Sequence, residues 1–453
     1  MRVCHGFTAV FDDPSLVSYA GLAPVLQLAE RAGFGPLVGE HVRIGKPAGV
    51  NAHVKIPGLV AGMLAGADSI DDMALLRHGG MARLFGGVRA PSTLGTFLRT
   101  FTFGHVRQLD AVASRLLINL AGRVPLLPGA GELAYVDVDD TVRQTYGYAK
   151  QGAGRGYTGT KGLNALLAVV STPSCAPVIA AVRLRKGSTN SARGAARLVA
   201  DALITAEAAG ATGVRVLRAD SAFYGYDVIA AAARQGARFS ITARKDRAVR
   251  KAIATIDAQA WTPIKYTNAI FDEDQQRWIS DAEVAEIAYT AFTSRPTAKH
   301  VTARLIVRRV RDMNPANQSE LFTAYRYHAV FTDSPLPMLA AEKAHRAHAI
   351  VEQVIADLKN GPLAHLPSGK FWANSAWLVC AAIAFNLTRA AGTLASVFHA
   401  RATTGTIRAQ LITVPARLAR SARRLTLHLP TAWPWQKAWE QMLTVANSPP
   451  LTA

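Results

Sequence analysis

The chain has 453 residues, half of them hydrophobic, and carries 51 Lys and Arg against 31 Asp and Glu, a net charge of +20. That length suggests two or three domains with sizeable cores, and the basic excess argues for a polyanion partner, nucleic acid before a membrane surface. Cys4, Cys175 and Cys380 are too far apart for a disulfide framework or paired zinc ligands, so a reducing cytoplasm is expected. Asp12 and Asp13 interrupt the first apolar residues, which argues against a signal peptide, and the most apolar run, 376–385, is too short to span a bilayer.

Residues 1–128 read as a helical region suited to DNA binding. A helix is expected over 24–32, with Pro24 in its first turn and Gly33 past its end. Ser69 with Asp71 and Asp72 forms an N-cap signal before Met73, and Ser92 with Thr93 caps a helix over 94–101. Helices with Gly-rich breaks suit a helix-turn-helix array, although a plain helical bundle gives the same pattern. Pro125, Pro128, Gly129 and Gly131 then form a linker.

Residues 129–250 alternate strands and helices. The strand Leu133-Ala134-Tyr135-Val136-Asp137-Val138-Asp139 places Asp137 and Asp139 on one face and the two valines on the other. Paired carboxylates on a largely buried strand repel each other and lose hydration, which a cation would relieve. Solvated acids capping a turn are the plainer explanation. The loop 152–162 is rich in glycine, but its Lys161 is followed by Gly162 and leads into a strand, which excludes a phosphate-binding P-loop. Strands over 163–171 and 177–185, a helix over 192–208, a strand over 214–217, a helix over 226–234 and a strand over 238–243 complete the region. Three strands, helix, strand, helix, strand is the opening order of a ribonuclease H-like α/β core.

Residues 251–336 read as an inserted β-rich subdomain, with strands over 283–292, 300–309 and 321–332. A helix over 340–358 follows, within the last core segment, 337–400. Val351, Ile355 and Leu358 form its apolar seam, Glu352 borders that seam, and His345, His348 and Lys359 lie near the same stripe. An ordinary amphipathic helix with a Glu–His surface pair is the bland alternative. Residues 401–453 form a basic C-terminal region: 401–424 holds six arginines and no acid, and Trp433, Trp435 and Trp439 follow. The tryptophans are expected to dock on the core.

Asp139 in Asp137-Val138-Asp139-Asp140-Thr141, Asp220 in Arg218-Ala219-Asp220-Ser221, and Glu352 with Lys359 resemble the DDE transposases of insertion sequences, most closely the IS1380 family of the IS4-like group. The resemblance spans most of the chain. It implies a DNA transposase in which Asp139, Asp220 and Glu352 hold two Mg²⁺ ions (Mn²⁺ can substitute), cut the terminal inverted repeats and join them to target DNA. It also implies a homodimer in the synaptic complex and a cytoplasmic, nucleoid-associated bacterial enzyme with no membrane partner. Asp137 stays the alternative first acid and an alternative ion ligand; Asp139 is preferred because it precedes Thr141 as in the family pattern. His345 and His348 stand where the family has Tyr and Arg, so with Lys359 they are expected to touch phosphate. Arg417, Arg420, Arg423 and Arg424 are expected to hold the DNA backbone from the C-terminal region. A nuclease without strand transfer and an inactive, domesticated DNA-binding protein are the competing functions.

Overall fold

The computed structural model describes residues 5–146, 150–156, 159–272, 276–311, 325–422 and 424–448. Two compact units result: 1–126 with 147–151 and 357–453, and 127–146 with 152–356.

The first unit opens with β1 (Leu16–Val17) and the helices α1 (Leu22–Arg31), α2 (Phe34–His41), α3 (Ala52–Ala65), α4 (Met81–Leu84), α5 (Pro91–Leu98) and α6 (Phe103–Ala121). Gly33 turns α1 into α2 at φ 82°, a left-handed conformation that glycine adopts without Cβ strain. The Ser69 cap holds: its hydroxyl donates to Asp72 at 2.7 Å, while the Asp72 amide donates back at 3.3 Å. It opens a 3₁₀ turn, Asp71–Leu76, rather than an α-helix.

The second unit contains β2 (Leu133–Gln144), β3 (Gly154–Arg155), β4 (Lys161–Ser171), β5 (Val178–Lys186), α7 (Ala195–Ala208), β6 (Val214–Ala219), α8 (Tyr226–Arg234), β7 (Arg238–Thr242) and α9 (Arg247–Ala254). It continues through β8 (Thr262–Asp272), β9 (Arg277–Ala291), β10 (Val301–Arg311), β11 (Tyr325–Thr332), α10 (Met338–Arg346) and the start of α11 (Ile350–Lys359). One mixed sheet runs β3-β4-β2-β6-β7-β11-β10-β9-β8, with β5 on β4. Its β2–β6 and β6–β7 pairs are parallel, and β2–β4 and β4–β5 are antiparallel. The β-rich stretch is not set apart from this sheet: β11 pairs with β7 and carries β10, β9 and β8 outward from it. The helix expected over 340–358 is present over 338–359, with one 3₁₀ turn inside it. A 3₁₀ turn, Ala347–Ala349, separates α10 from α11.

Back in the first unit, α12 (Phe371–Ala395), α13 (Thr404–Ile407), β12 (Ala416–Ser421), β13 (Arg424–His428) and α14 (Gln436–Ala446) complete the chain. At 25 residues α12 is far longer than its most apolar run and is long enough to cross a bilayer, yet 94% of its apolar window is buried within the protein. Helices α3, α5, α6 and α14 pack around it, so its apolar character is that of a core helix. Trp439 is buried, as expected of a docked C-terminal helix.

Candidate active site

Register decides which side chains meet. In the parallel β2–β6 pair Asp137 lies opposite Arg218 and Val138 opposite Ala219. One residue further come Asp139 and Asp220. Alternation therefore puts Asp137, Asp139, Arg218 and Asp220 on one face of adjacent strands, where their parallel pairing ends. Val136 and Val138 point into the core on the other face, both at 0% exposure.

Asp137 and Arg218 are both buried. Arg218 Nε and Nη2 donate to the two Asp137 oxygens, each at 2.7 Å, a forked ion pair. His348 Nδ1 donates to Asp137 Oδ1 at 2.9 Å. Against the expectation of Asp137 as an alternative ion ligand, its negative charge is here already met by a guanidinium.

Among the described residues Asp139 has no such cation. It accepts the Asp140 amide at 2.7 Å. Burial, reinforced by the charge of Asp220, pushes its carboxyl up to about 7. Asp220 caps the turn Ser221–Phe223, accepting the Ala222 amide at 2.9 Å. Its residue surface opens to solvent, yet the protein around the carboxyl removes enough water to raise it above the ordinary range, with the charge of Asp140 adding to that effect. Two partly desolvated carboxylates side by side, in no ion pair among the described residues although His348 is near enough to lower both, suit a hard divalent cation.

Glu352 begins α11 one turn beyond His348 and is exposed, while Val351, Ile355 and Leu358 are buried as the seam predicts. Among the described residues no three His, Cys, Asp or Glu side chains are grouped closely enough to hold an ion. The structure thus brings Asp139 and Asp220 together and leaves Glu352 on the neighbouring helix.

The histidines face the sheet. His345 is buried, with its ring nitrogens bonded to the Ser240 hydroxyl at 3.0 Å and the Thr242 hydroxyl at 2.9 Å. Burial, followed by the nearby His348 and Arg218 charges, pushes its pKa down to about 3, so it is neutral and closed to phosphate. The expectation that it touches DNA phosphate meets, in this structure, a ring already bonded on both nitrogens. His348 spends Nδ1 on Asp137, although 13% of its side chain stays exposed. His345 lies in the last turn of α10 and His348 in the following 3₁₀ turn.

On the opposite face of β2, Asp140 pairs with the buried Arg185 and accepts from Asn164 at 2.8 Å; Arg185 also donates to the Ser191 carbonyl at 2.7 Å. Sequence reading missed both this network and the Arg218 clamp. A charged residue inside an otherwise buried strand, such as Arg218 or Arg185, was the available signal.

In the first unit, Lys359 ends α11 and is half-buried. Arg417 and Arg420 lie on β12 and Arg424 on β13, all exposed; Arg423 falls outside the described residues, as do Tyr157 and Thr158 of the glycine-rich loop. Pairing of Arg417 with His428 and of Ser421 with Arg424 puts both arginines on one face of the hairpin.

The profile of the family described as transposase DDE domain, group 1, matches residues 6–449. The chain belongs to this DDE family. It is a DNA transposase, an enzyme of DNA cleavage and strand transfer. No curated protein matches it. Among solved structures it aligns with a piggyBac transposase, seen by cryo-electron microscopy in a synaptic complex with hairpin DNA. That alignment has 9% identity and a TM-score of 0.41, and it covers 98% of this chain and 83% of the other.

Proposed function

We propose that Asp139, Asp220 and Glu352 are the acids at which this transposase cuts and joins DNA, and that they hold two Mg²⁺ ions, for which Mn²⁺ can substitute. The observation that carries this reading is the adjacency of Asp139 and Asp220, both desolvated and neither paired with a guanidinium as Asp137 is. Such ions, when bound, stabilise the attacking and leaving oxygens of an in-line displacement at phosphorus. The protein's part is to hold the two strand carboxylates adjacent and partly stripped of water, so that a bound cation would favour their charged forms. Glu352 supplies the third carboxylate from α11, and His348 ties the segment before that helix to β2.

The order of strands and helices, with an antiparallel β5–β4–β2 start and parallel additions at β6 and β7, supports a ribonuclease H-like core. The sequence motifs support an IS1380-type insertion-sequence enzyme acting as a homodimer on its terminal inverted repeats and on target DNA. Helical residues 1–128 and the basic hairpin of 401–453 would hold that DNA, with Arg417, Arg420 and Arg424 on phosphates. Free Cys175 and Cys380 fit a reducing cytoplasm, and DNA as substrate would place the enzyme on the bacterial nucleoid. Incubating the purified protein with its element's ends, target DNA and Mg²⁺ tests the reading: nicks at the ends and joined products support it. Cutting without joining would reduce it to a nuclease.

A further inference from the structure

Arg218 uses every part of its guanidinium. Nε and Nη2 fork onto Asp137, Nη1 donates to the Ala344 carbonyl at 2.5 Å, and the group lies 3.8 Å from the centre of the Tyr135 ring. Asp137 in turn receives His348. Ala344 is in the last turn of α10 and His348 is in the 3₁₀ turn that precedes α11. The clamp therefore grips the chain on both sides of His345, which is itself tied to Ser240 and Thr242. Glu352 follows His348 by one helical turn.

A buried ion pair is a poor stabiliser, because the lost hydration of two charges offsets their attraction. A fork, however, is directional: its two parallel bonds fix a guanidinium in plane and in rotation. Here the fixed group joins β2 and β6, which carry Asp139 and Asp220, to the backbone that delivers Glu352. We propose that Arg218, acting through Asp137 and His348, is a positioning residue that sets the Glu352 helix against the two strand acids. The inference rests on the proposed role of those three acids. It adds that Asp137 serves the site through an arginine rather than as a ligand.

The test compares wild type with the double variant Arg218→Met/Asp137→Leu, which leaves no orphaned charge, and with His348→Phe, which cuts only the outer tether. Global melting and end-DNA binding should stay near wild type. Amide hydrogen exchange across 350–356 should speed up by about tenfold in the double variant and less in His348→Phe. End cleavage should fall by about a hundredfold, as misplacement of a reacting group predicts. The Mn²⁺ concentration for half-maximal cleavage should rise about tenfold, since residues that orient ligands tune ion affinity. A structural role alone would not move that midpoint. Wild-type exchange at 350–356 with an unchanged Mn²⁺ midpoint in either folded variant would overturn the inference. If wild type cuts no end DNA, the functional reading fails separately, and exchange at 350–356 still decides whether the clamp positions α11.

Discussion

Asp139 and Asp220 stand side by side, one residue past the last paired position of two parallel strands, and the charge of Asp220 helps to raise the Asp139 carboxyl. A protein retains such repulsion at a cost to its fold, and a bound cation removes that cost. Just below them on the same face, Asp137 has its charge cancelled by Arg218. The two carboxylates of one strand thus differ in surroundings: Asp137 is forked by a guanidinium, whereas Asp139 faces Asp220.

Divalent ions should stabilise the folded protein without DNA. Mn²⁺ at about a hundredfold above its dissociation constant adds about 2.7 kcal/mol to a protein that binds it only when folded. Thermal melts should show that gain for wild type, and a smaller one for Asp139→Asn and Asp220→Asn. Equal shifts in all three would place the ion elsewhere.

The buried Asp140–Arg185 pair predicts an asymmetric result. Arg185→Met leaves Asp140 without its cation and should cost about 3–5 kcal/mol. Asp140→Leu combined with Arg185→Met should recover much of that loss. Denaturant melts of the two variants check it; equal losses would mean that the pair's charges are not coupled.

His345 makes stability depend on pH. It is surrounded by His348, Arg218, Asp137, Ser240 and Thr242, and burial is the largest cause of its pKa of about 3. An unfolded histidine titrates near ~6.5, so between these values the unfolded chain binds a proton that the folded chain refuses. Stability is full above that range and falls as pH drops through it, by up to about 1.4 kcal/mol per pH unit. His345→Gln can still bond the two hydroxyls but cannot titrate, so its pH slope from about 6.5 to about 4.5 should be shallower by about one proton. Identical slopes would show that His345 is protonated in the fold.

The hairpin arginines predict a salt effect. Replacing Arg417, Arg420 and Arg424 with alanine should weaken binding to all DNA sequences alike. The slope of log affinity against log salt should fall by about 0.9 for each phosphate the protein no longer neutralises. Adding Arg423→Ala extends the series. A slope that does not change would make this hairpin a solvated face.

Much of the frame was legible in the sequence, because strand alternation and helix punctuation are local. The α8 boundaries, the shared face of Asp137 and Asp139, and the buried seam of Val351, Ile355 and Leu358 all follow from spacing. Strand β8 is hard to read because Pro263 opens it and Asn268 falls where the alternation of Ile264, Tyr266 and Ile270 calls for an apolar residue. Helical periodicity places His345 and His348 near one stripe but does not tell that the stripe faces Ser240, Thr242 and Asp137. Arg218 sat in plain view two residues before Asp220. Only the parallel register of β2 and β6 tells which acid it neutralises.

The most direct measurement is strand cleavage of the element's own ends by Asp139→Asn, Asp220→Asn and Glu352→Gln, with DNA binding measured beside it. An amide keeps the shape of a carboxylate and loses the charge that a divalent ion needs. Each variant should bind end DNA as wild type does and cleave it at least about a thousandfold more slowly. Cleavage at the wild-type rate by any one of them would remove that residue from the site, and cleavage by Asp139→Asn would contradict the account at its centre.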